Sequence, residues 1–405
     1  MAKREEIIVG LDLGTTKVCT VVAELAEEGQ LKVLGVGTAA CDGLNQGMVV
    51  SIDETAAAIS RSVDEAETMS GVDIHRVVAG ISGAHLKGLN NRATVGVKGA
   101  EVTADDIAGV LDAARAVELS RDDEIVHVAP QKFVIDNQDA VGDPIGMAGD
   151  LLSVEAHVIL GAATATRNLM RCVEQAGLEV DSMVPQPLAS AHSVLSPEEL
   201  ELGVVLVDIG GGTTDLAVFV DGSVRHTWVL PLGASHVTRD ISYGLSTPIK
   251  EAERIKVQFG TALSGQVDEI EEIEVPSVGG RPPRNVTRKL LAQIAEARME
   301  EILQLVGEEI HRAGLAAKAG SGLVITGGGS LLPGTVEVAG RMTGLIARCG
   351  MPISVTGLTD LATSPKNATA VGLARGALMG ATMETVTLPA PKGLGRLKHW
   401  VQEFF

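Results

Sequence analysis

Residues 204–219, VVLVDIGGGTTDLAVF, set two carboxylates, three glycines and two threonines between two runs of buried-strand residues. These side-chain types, in this order, suit phosphate and metal chemistry. Gly210, Gly211 and Gly212 let successive backbone N–H groups converge without Cβ interference, and with the hydroxyls of Thr213 and Thr214 they make a cradle for phosphate oxygens. Asp208, at the strand end, would repel phosphate directly. It suits instead the hydrated Mg2+ that accompanies a nucleotide, an ion that keeps its waters and prefers oxygen ligands. The device occurs twice: residues 7–23, IIVGLDLGTTKVCTVVA, place Asp12, Gly14, Thr15 and Thr16 in the same way, and Lys17 adds a point charge suited to a β- or γ-phosphate. A single Gly-rich hairpin is more often only a hairpin; two matching copies reverse that balance. A third run, GLVITGGGSLLPG at 322–334, presents Gly327, Gly328, Gly329 and Ser330 after a strand with no aspartate at its end. That composition fits a flat backbone surface against a base or ribose.

The elements that position these turns follow from the flanking pattern. Each aspartate-bearing copy is followed by a turn and another strand, EEGQLKVLGVG in the first and DGSVRHTWVLPLG in the second, so each opens an antiparallel meander. Amphipathic helical runs come next, SIDETAAAISRSVDEAETMSG and KEAERIKVQFG. The expected architecture is α/β, with two related halves. A chain of 405 residues, 45% apolar, is too long for one ordinary core and predicts roughly two to four domains. The net charge of −19 argues against nucleic acid as a partner and requires any attraction to anionic lipid to be local. Four cysteines without a CxxC pair and nine histidines without H-x-x-x-H spacing suggest neither a zinc site nor a disulfide framework. No run approaches the ~18 to 20 apolar residues of a membrane span, and MAKREEIIVGLDLG is interrupted by Asp12 too early for a signal peptide. The bulk of the chain is expected in the cytosol.

The order DLGTTK, DIGGGTTD, TGGGSLLPG resembles the two phosphate loops and the adenosine loop of the actin-like ATPase superfamily, which clamps Mg-ATP between two duplicated domains. Within it, the chain is similar to the FtsA family of bacterial cell-division actins along essentially its whole length. The resemblance implies ATP and Mg2+ as ligands, with Asp12 and Asp208 holding the metal through water. It implies that Glu253 and Lys256 of EAERIK neighbour the ribose and base, and it counts Gly233 among the nucleotide contacts. It also makes VPQPLAS, 184–190, the first segment connecting the domains, with Gln186 near the γ-phosphate. Gln186 and Asp215 are then the candidates for positioning a hydrolytic water, in a protein with at most weak ATPase activity.

The family's subdomains map onto the chain as 1A over 1–84 and 163–200, an inserted 1C over 85–162, 2A over 201–244 and 312–361, 2B over 245–311, and a return to 1A over 362–380. The insertion should read β, α, β, β: HLKGLNNRATVGV, TADDIAGVLDAARAVEL, IVHVAPQKFVID, SVEAHVILGA. In 2B, the run TRKLLAQIAEARMEEILQLVGEEIHRAG predicts a helix whose stripe Leu291, Ile294, Ala295, Ile302, Leu305 and Val306 faces a core, stopped by Gly314. The basic cluster Arg281, Arg284, Arg288 and Lys289 is unusual in an acidic chain. It is either solvated charge or, as the resemblance implies, the receptor for the acidic, apolar C-terminal peptide of the tubulin-like ring protein FtsZ.

The far C-terminus carries a second signal. Residues 381–391 read as a linker, and 392–405 as an amphipathic helix. At 100° per residue Leu394, Leu397, Trp400, Val401, Phe404 and Phe405 share one arc, while Lys392, Arg396 and Lys398 supply positive charge. A basic, Trp- and Phe-bearing helix on a tether suits an interfacial membrane anchor; the competing reading is a helix docked on protein. Six such side chains give a gross ~10 kcal/mol, which partial immersion and ordering reduce to reversible attachment, so anchors arrayed on a filament would act by avidity. The resemblance accordingly implies self-assembly on the cytoplasmic face of the membrane at the division site, with FtsZ and later divisome proteins as partners. A superfamily small-molecule kinase has no need of a lipid helix, and a heat-shock chaperone would need far more than the ~70 residues beyond the third loop. A pilus-assembly ATPase of the FtsA-like group is the nearer rival, and the C-terminal helix argues against it.

Overall fold

The aliphatic runs of each half assemble into a sheet of their own. The computed structural model describes residues 7–26, 29–136, 138, 141–279 and 281–378. In the first half β1 (Ile7–Leu13), β2 (Lys17–Leu25) and β3 (Leu31–Ala40) form the antiparallel meander, followed by a small hairpin, β4 (Leu44–Asn45) and β5 (Met48–Val49), and by α1 (Ile52–Ser70). Helix α1 begins where the Ser51 hydroxyl accepts from the Glu54 N–H and ends at Gly71 with φ 72°, the hydroxyl cap and left-handed stop carried by its sequence. It packs its buried face, including Ile59, Val63 and Ala66, on β2 and β3. β6 (Arg76–Ile81) then adds parallel to β1.

The insertion follows the expected order, with β7 (Lys87–Gly96), α2 (Ala104–Ala114), β8 (Asp123–Ile135) and β9 (Leu151–Ala162). Its sheet runs β7-β9-β8, so β8 is an edge, and Pro130, which has no N–H to give a ladder, sits at a register break there. Helix α2 is shorter than the amphipathic run suggested: its buried stripe Ile107, Val110, Leu111, Ala114 is complete at Ala114, and the chain then turns away toward β8. α3 (Ala163–Gln175) and β10 (Glu179–Pro185) complete the first half, and α4 (Gln186–Val194) and α5 (Pro197–Leu202) cross to the second.

There β11 (Val204–Ile209), β12 (Thr214–Val220) and β13 (Ser223–Leu230) repeat the meander, with Asp221 and Gly222 at φ 52° and 75° in the turn. α6 (Ala234–Gly244), α7 (Ile249–Phe259), the hairpin β14 (Glu272–Val275) and β15 (Arg284–Thr287), and α8 (Arg288–Arg312) follow. In α8, Leu291, Ala295, Ile302 and Val306 are fully buried, Ile294 and Leu305 lie at the margin, and Gly314 beyond it adopts φ 68°. The sheet is finished by β16 (Leu323–Thr326), α9 (Thr335–Thr343) and β17 (Ala347–Cys349). The chain returns to the first half through β18 (Val355–Gly357), parallel to β3, then α10 (Thr359–Ala362) and α11 (Ala368–Leu378), which packs on α4 and β1.

The duplication is visible in the topology. One sheet runs β10-β6-β1-β2-β3, with β18 outside β3, and the other runs β17-β16-β11-β12-β13. In the first, Asp12 pairs with Cys19; in the second, Asp208 pairs with Asp215, the same spacing of seven residues (19 − 12 and 215 − 208).

Candidate functional site

Both loops close on the same backbone bond. The Gly14 N–H donates to the Lys17 carbonyl at 3.0 Å, and the Gly210 N–H to the Thr213 carbonyl at 2.9 Å. The loops then meet face to face: a Cβ added to Gly211 would lie 2.5 Å from Thr16 Cγ2, and one on Gly212 2.5 Å from Thr15 Oγ1. Only glycine leaves room for this approach. Between and behind the loops lie two adjoining cavities, of 710 and 340 Å3, which share Thr15, Thr16, Gly210, Gly211 and Gly328 as walls.

The smaller cavity holds the carboxylates. Asp12 and Asp208, one from each sheet, both line it, together with Gly14, Lys17, Gln186, Thr213, Asp215 and Gly327. The helices joining the halves hold each in place: Gln186 Nε2 of α4 donates to Asp12 Oδ1 at 3.0 Å, while Ser190 Oγ of α4 and Thr369 Oγ1 of α11 donate to Asp208 Oδ2 at 2.6 and 3.1 Å. Burial pushes the Asp12 carboxyl up to about 7, against the pull of Lys17 and with a further push from Asp208. Burial also raises Asp208, opposed by the Ser190 and Thr369 hydroxyls, and pushes Asp215 up to about 7 against its bond from Ser82. Charging such carboxylates out of water is costly, and a cation removes the cost. Among the described residues no three carboxylate, imidazole or thiol groups converge to cage a metal. An ion between Asp12 and Asp208 would therefore complete its shell with water and phosphate oxygens, as Mg2+ prefers.

The larger cavity is lined by Gly212, Gly328, Gly329, Glu253 and Lys256, the surface expected for a nucleoside. Lys256 pairs with Glu253 at 2.7 Å and donates to Thr238 Oγ1 at 2.9 Å, and Thr238 in turn bonds Glu253. Gly327, at φ 82°, brings the third loop against the second: an added Cβ would meet Asp208 Oδ1 at 2.2 Å and the Ile209 carbonyl at 2.6 Å.

Three candidates brace the walls rather than line them. The Ser330 hydroxyl donates to the Gly327 carbonyl at 2.7 Å, and the Thr214 hydroxyl to the Leu232 carbonyl at 2.8 Å. Gly233 sits where a Cβ would strike the Gly210 and Gly211 carbonyls at 2.6 and 2.7 Å. Lys17 reaches Asn367 Oδ1 at 2.6 Å. Ser82, Ser190, Thr369 and Asn367 had no signal in the sequence, since isolated hydroxyls and amides far along the chain form no pattern.

Away from the cleft, the basic cluster is less free than its spacing suggests. Arg288 pairs with Glu271 at 2.9 Å, Lys289 pairs with Glu269, and Arg284 donates to the Leu245 carbonyl at 2.7 Å, whereas Arg281 is exposed. The anchor residues Lys392, Leu394, Arg396, Leu397, Lys398, Trp400, Val401, Phe404 and Phe405 lie outside the described residues.

The chain is similar to known proteins in sequence and in fold. The model of the family "Cell division protein FtsA" matches residues 205–372, and that of the "SHS2 domain inserted in FTSA" matches residues 83–160. Cell division protein FtsA of Pseudomonas aeruginosa is 44% identical over 410 residues, covering 99% of this chain and 98% of that one. That of Neisseria meningitidis is 39% identical over the full length of both. In fold, the chain resembles the PilM-PilN type IV pilus biogenesis complex (TM-score 0.63, 16% identity, 92% of this chain and 98% of that one). It also resembles MreB5 of Spiroplasma citri bound to ADP (TM-score 0.55, 15% identity, 91% and 94%). With an actin-like core, an inserted SHS2 domain and relatives matched end to end, the chain belongs to the FtsA family of bacterial cell-division proteins.

Proposed function

We propose that this chain binds one Mg-ATP in its cleft, assembles into filaments on the cytoplasmic face of the membrane at the division site, tethers FtsZ there and recruits later division proteins. The observation that carries the reading is the pair of matched loops: position for position at a separation of 196 residues (208 − 12), each brings a strand-end carboxylate and a glycine turn to one cleft. Mg2+ would supply charge neutralisation between Asp12 and Asp208 and the phosphates, while the loop N–H groups and Lys17 bind and orient the phosphate oxygens. Gln186, which donates to Asp12, would orient a water. A nucleotide bridging both halves stabilises the closed form, which couples ATP to the shape an assembling protomer presents.

Attachment would come from residues 392–405, and among the described residues no helix is long and apolar enough to cross a membrane. FtsZ would be received on the 245–311 subdomain, with Arg281 and Arg284 as its less encumbered cations. Electron microscopy on lipid monolayers with ATP tests the reading: the full chain is expected to form ordered filaments, and a chain lacking residues 392–405 to leave the lipid bare. Retention of the truncated chain on lipid, or no filaments from either, contradicts it.

A further inference from the structure

Asp215 follows Asp208 by seven positions, as Cys19 follows Asp12. Cys19 is buried with an apolar cluster and does not reach the other half, so the duplicated strand-turn-strand does not itself require an acid at this place. In the second copy both carboxylate oxygens are used. Ser82 Oγ donates to Asp215 Oδ1 at 2.5 Å and Thr213 Oγ1 donates to Oδ2 at 3.0 Å, with Asp215 only 2% exposed. Ser82 follows β6, so its hydroxyl comes from the first half, whereas Asp215 and Thr213 belong to the second. Asp215 thus joins a hydroxyl of one half to a hydroxyl of the other.

The neighbouring turn makes a second crossing. Gln46 and Gly47, at φ 50° and 79°, turn the β4–β5 hairpin tightly onto Ser82, whose carbonyl would lie 2.4 Å from a Cβ on Gly47. Gln46 Nε2 then donates across to the Pro231 carbonyl at 2.8 Å.

We propose that Ser82, Asp215 and Thr213 form a cross-cleft latch, with Ser82 as the positioning residue, that holds the second phosphate loop in its phosphate-accepting shape while the halves are closed. Its consequence for ATP rests on the reading given above. Breaking the latch frees Thr213 and lets the halves part.

Two measurements on the full chain separate the two claims. In nucleotide-free protein, Ser82→Ala is expected to raise amide exchange over residues 210–216 about fivefold, and Ser82→Thr, which keeps the hydroxyl, to leave it near wild type. Equal exchange in wild type and Ser82→Ala overturns the latch. With a fluorescent ATP analogue, Ser82→Ala is expected to release it about tenfold faster, with rescue by Ser82→Thr, and adding Asp215→Asn to Ser82→Ala to change release less than about twofold further. Faster exchange with unchanged release, or multiplicative effects in the double variant, overturns the link to nucleotide. A wild-type chain that takes up no analogue overturns the ATP reading, and the exchange result alone then decides the latch.

Discussion

At Gly327 a single methyl group has nowhere to go. Its φ of 82° disfavours any side chain, and the atoms an added Cβ would strike include the Ile209 carbonyl, a backbone group that cannot rotate aside. Gly327→Ala is expected to destabilise the chain by about 2 kcal/mol or more, read by urea denaturation, and to weaken nucleotide binding through displaced Asp208. Asp12 supplies a pH-dependent counterpart. Its folded value, about 7, lies above the ordinary 3.8, so its favourable contribution is complete below pH 3.8 and is lost as pH rises through 7. Asp12→Asn removes that loss, so without nucleotide its melting temperature should exceed wild type by a margin that grows from pH 5 to pH 8. A constant margin would assign the effect to packing. Asp12, Asp208 and the glycine turns were legible in the sequence because they recur as a pattern. Ser82, Ser190 and Thr369, which hold the carboxylates, were not: each is one hydroxyl brought in from another element.

Among elements, β13 carries more than its share of the sheet, because the inserted subdomain docks on it. Gln131 Nε2 donates to the Val224 carbonyl at 2.7 Å, Arg225 Nη1 donates to Gln131 Oε1 at 2.8 Å, and His157 sits between Asn90 Oδ1 and Thr227 Oγ1 at 2.8 and 2.9 Å. Burial depresses His157 to about 3. A base depressed below its ordinary 6.5 leaves the unfolded chain binding more protons, so its stabilising contribution is lost as pH falls from 6.5 toward 3. His157→Gln is therefore expected to lessen the loss of melting temperature between pH 7 and pH 5, and Gln131→Ala to raise amide exchange in β13 at a cost of about 1 to 2 kcal/mol. Strand and helix runs with clear periodicity were readable from residue order, as in α1 and α8. Helix α11 was not, because residues 368–376 are buried all round and leave no polar face to mark a period. The basic cluster belongs to this scale too. On the proposed reading, Arg281→Glu with Arg284→Glu should weaken binding of the FtsZ C-terminal peptide about tenfold, and unchanged affinity removes those residues from the contact.

For the whole molecule, the duplicated halves were visible in advance as equal spacings around Asp12 and Asp208, whereas the docking of the insertion across both halves depends on contacts between distant segments that no local pattern encodes. The consequence of the duplication is a cleft that neither half can form alone, with one strand-end aspartate and the glycine loop that follows it from each. Isothermal calorimetry of the full chain with ATP, in Mg2+ and in its absence, tests this most directly. One ATP per chain, bound more weakly by at least about tenfold without Mg2+ and equally weakened by Asp12→Asn and by Asp208→Asn, is the expected result. No uptake of ATP, or uptake indifferent to both aspartates and to the metal, would contradict it.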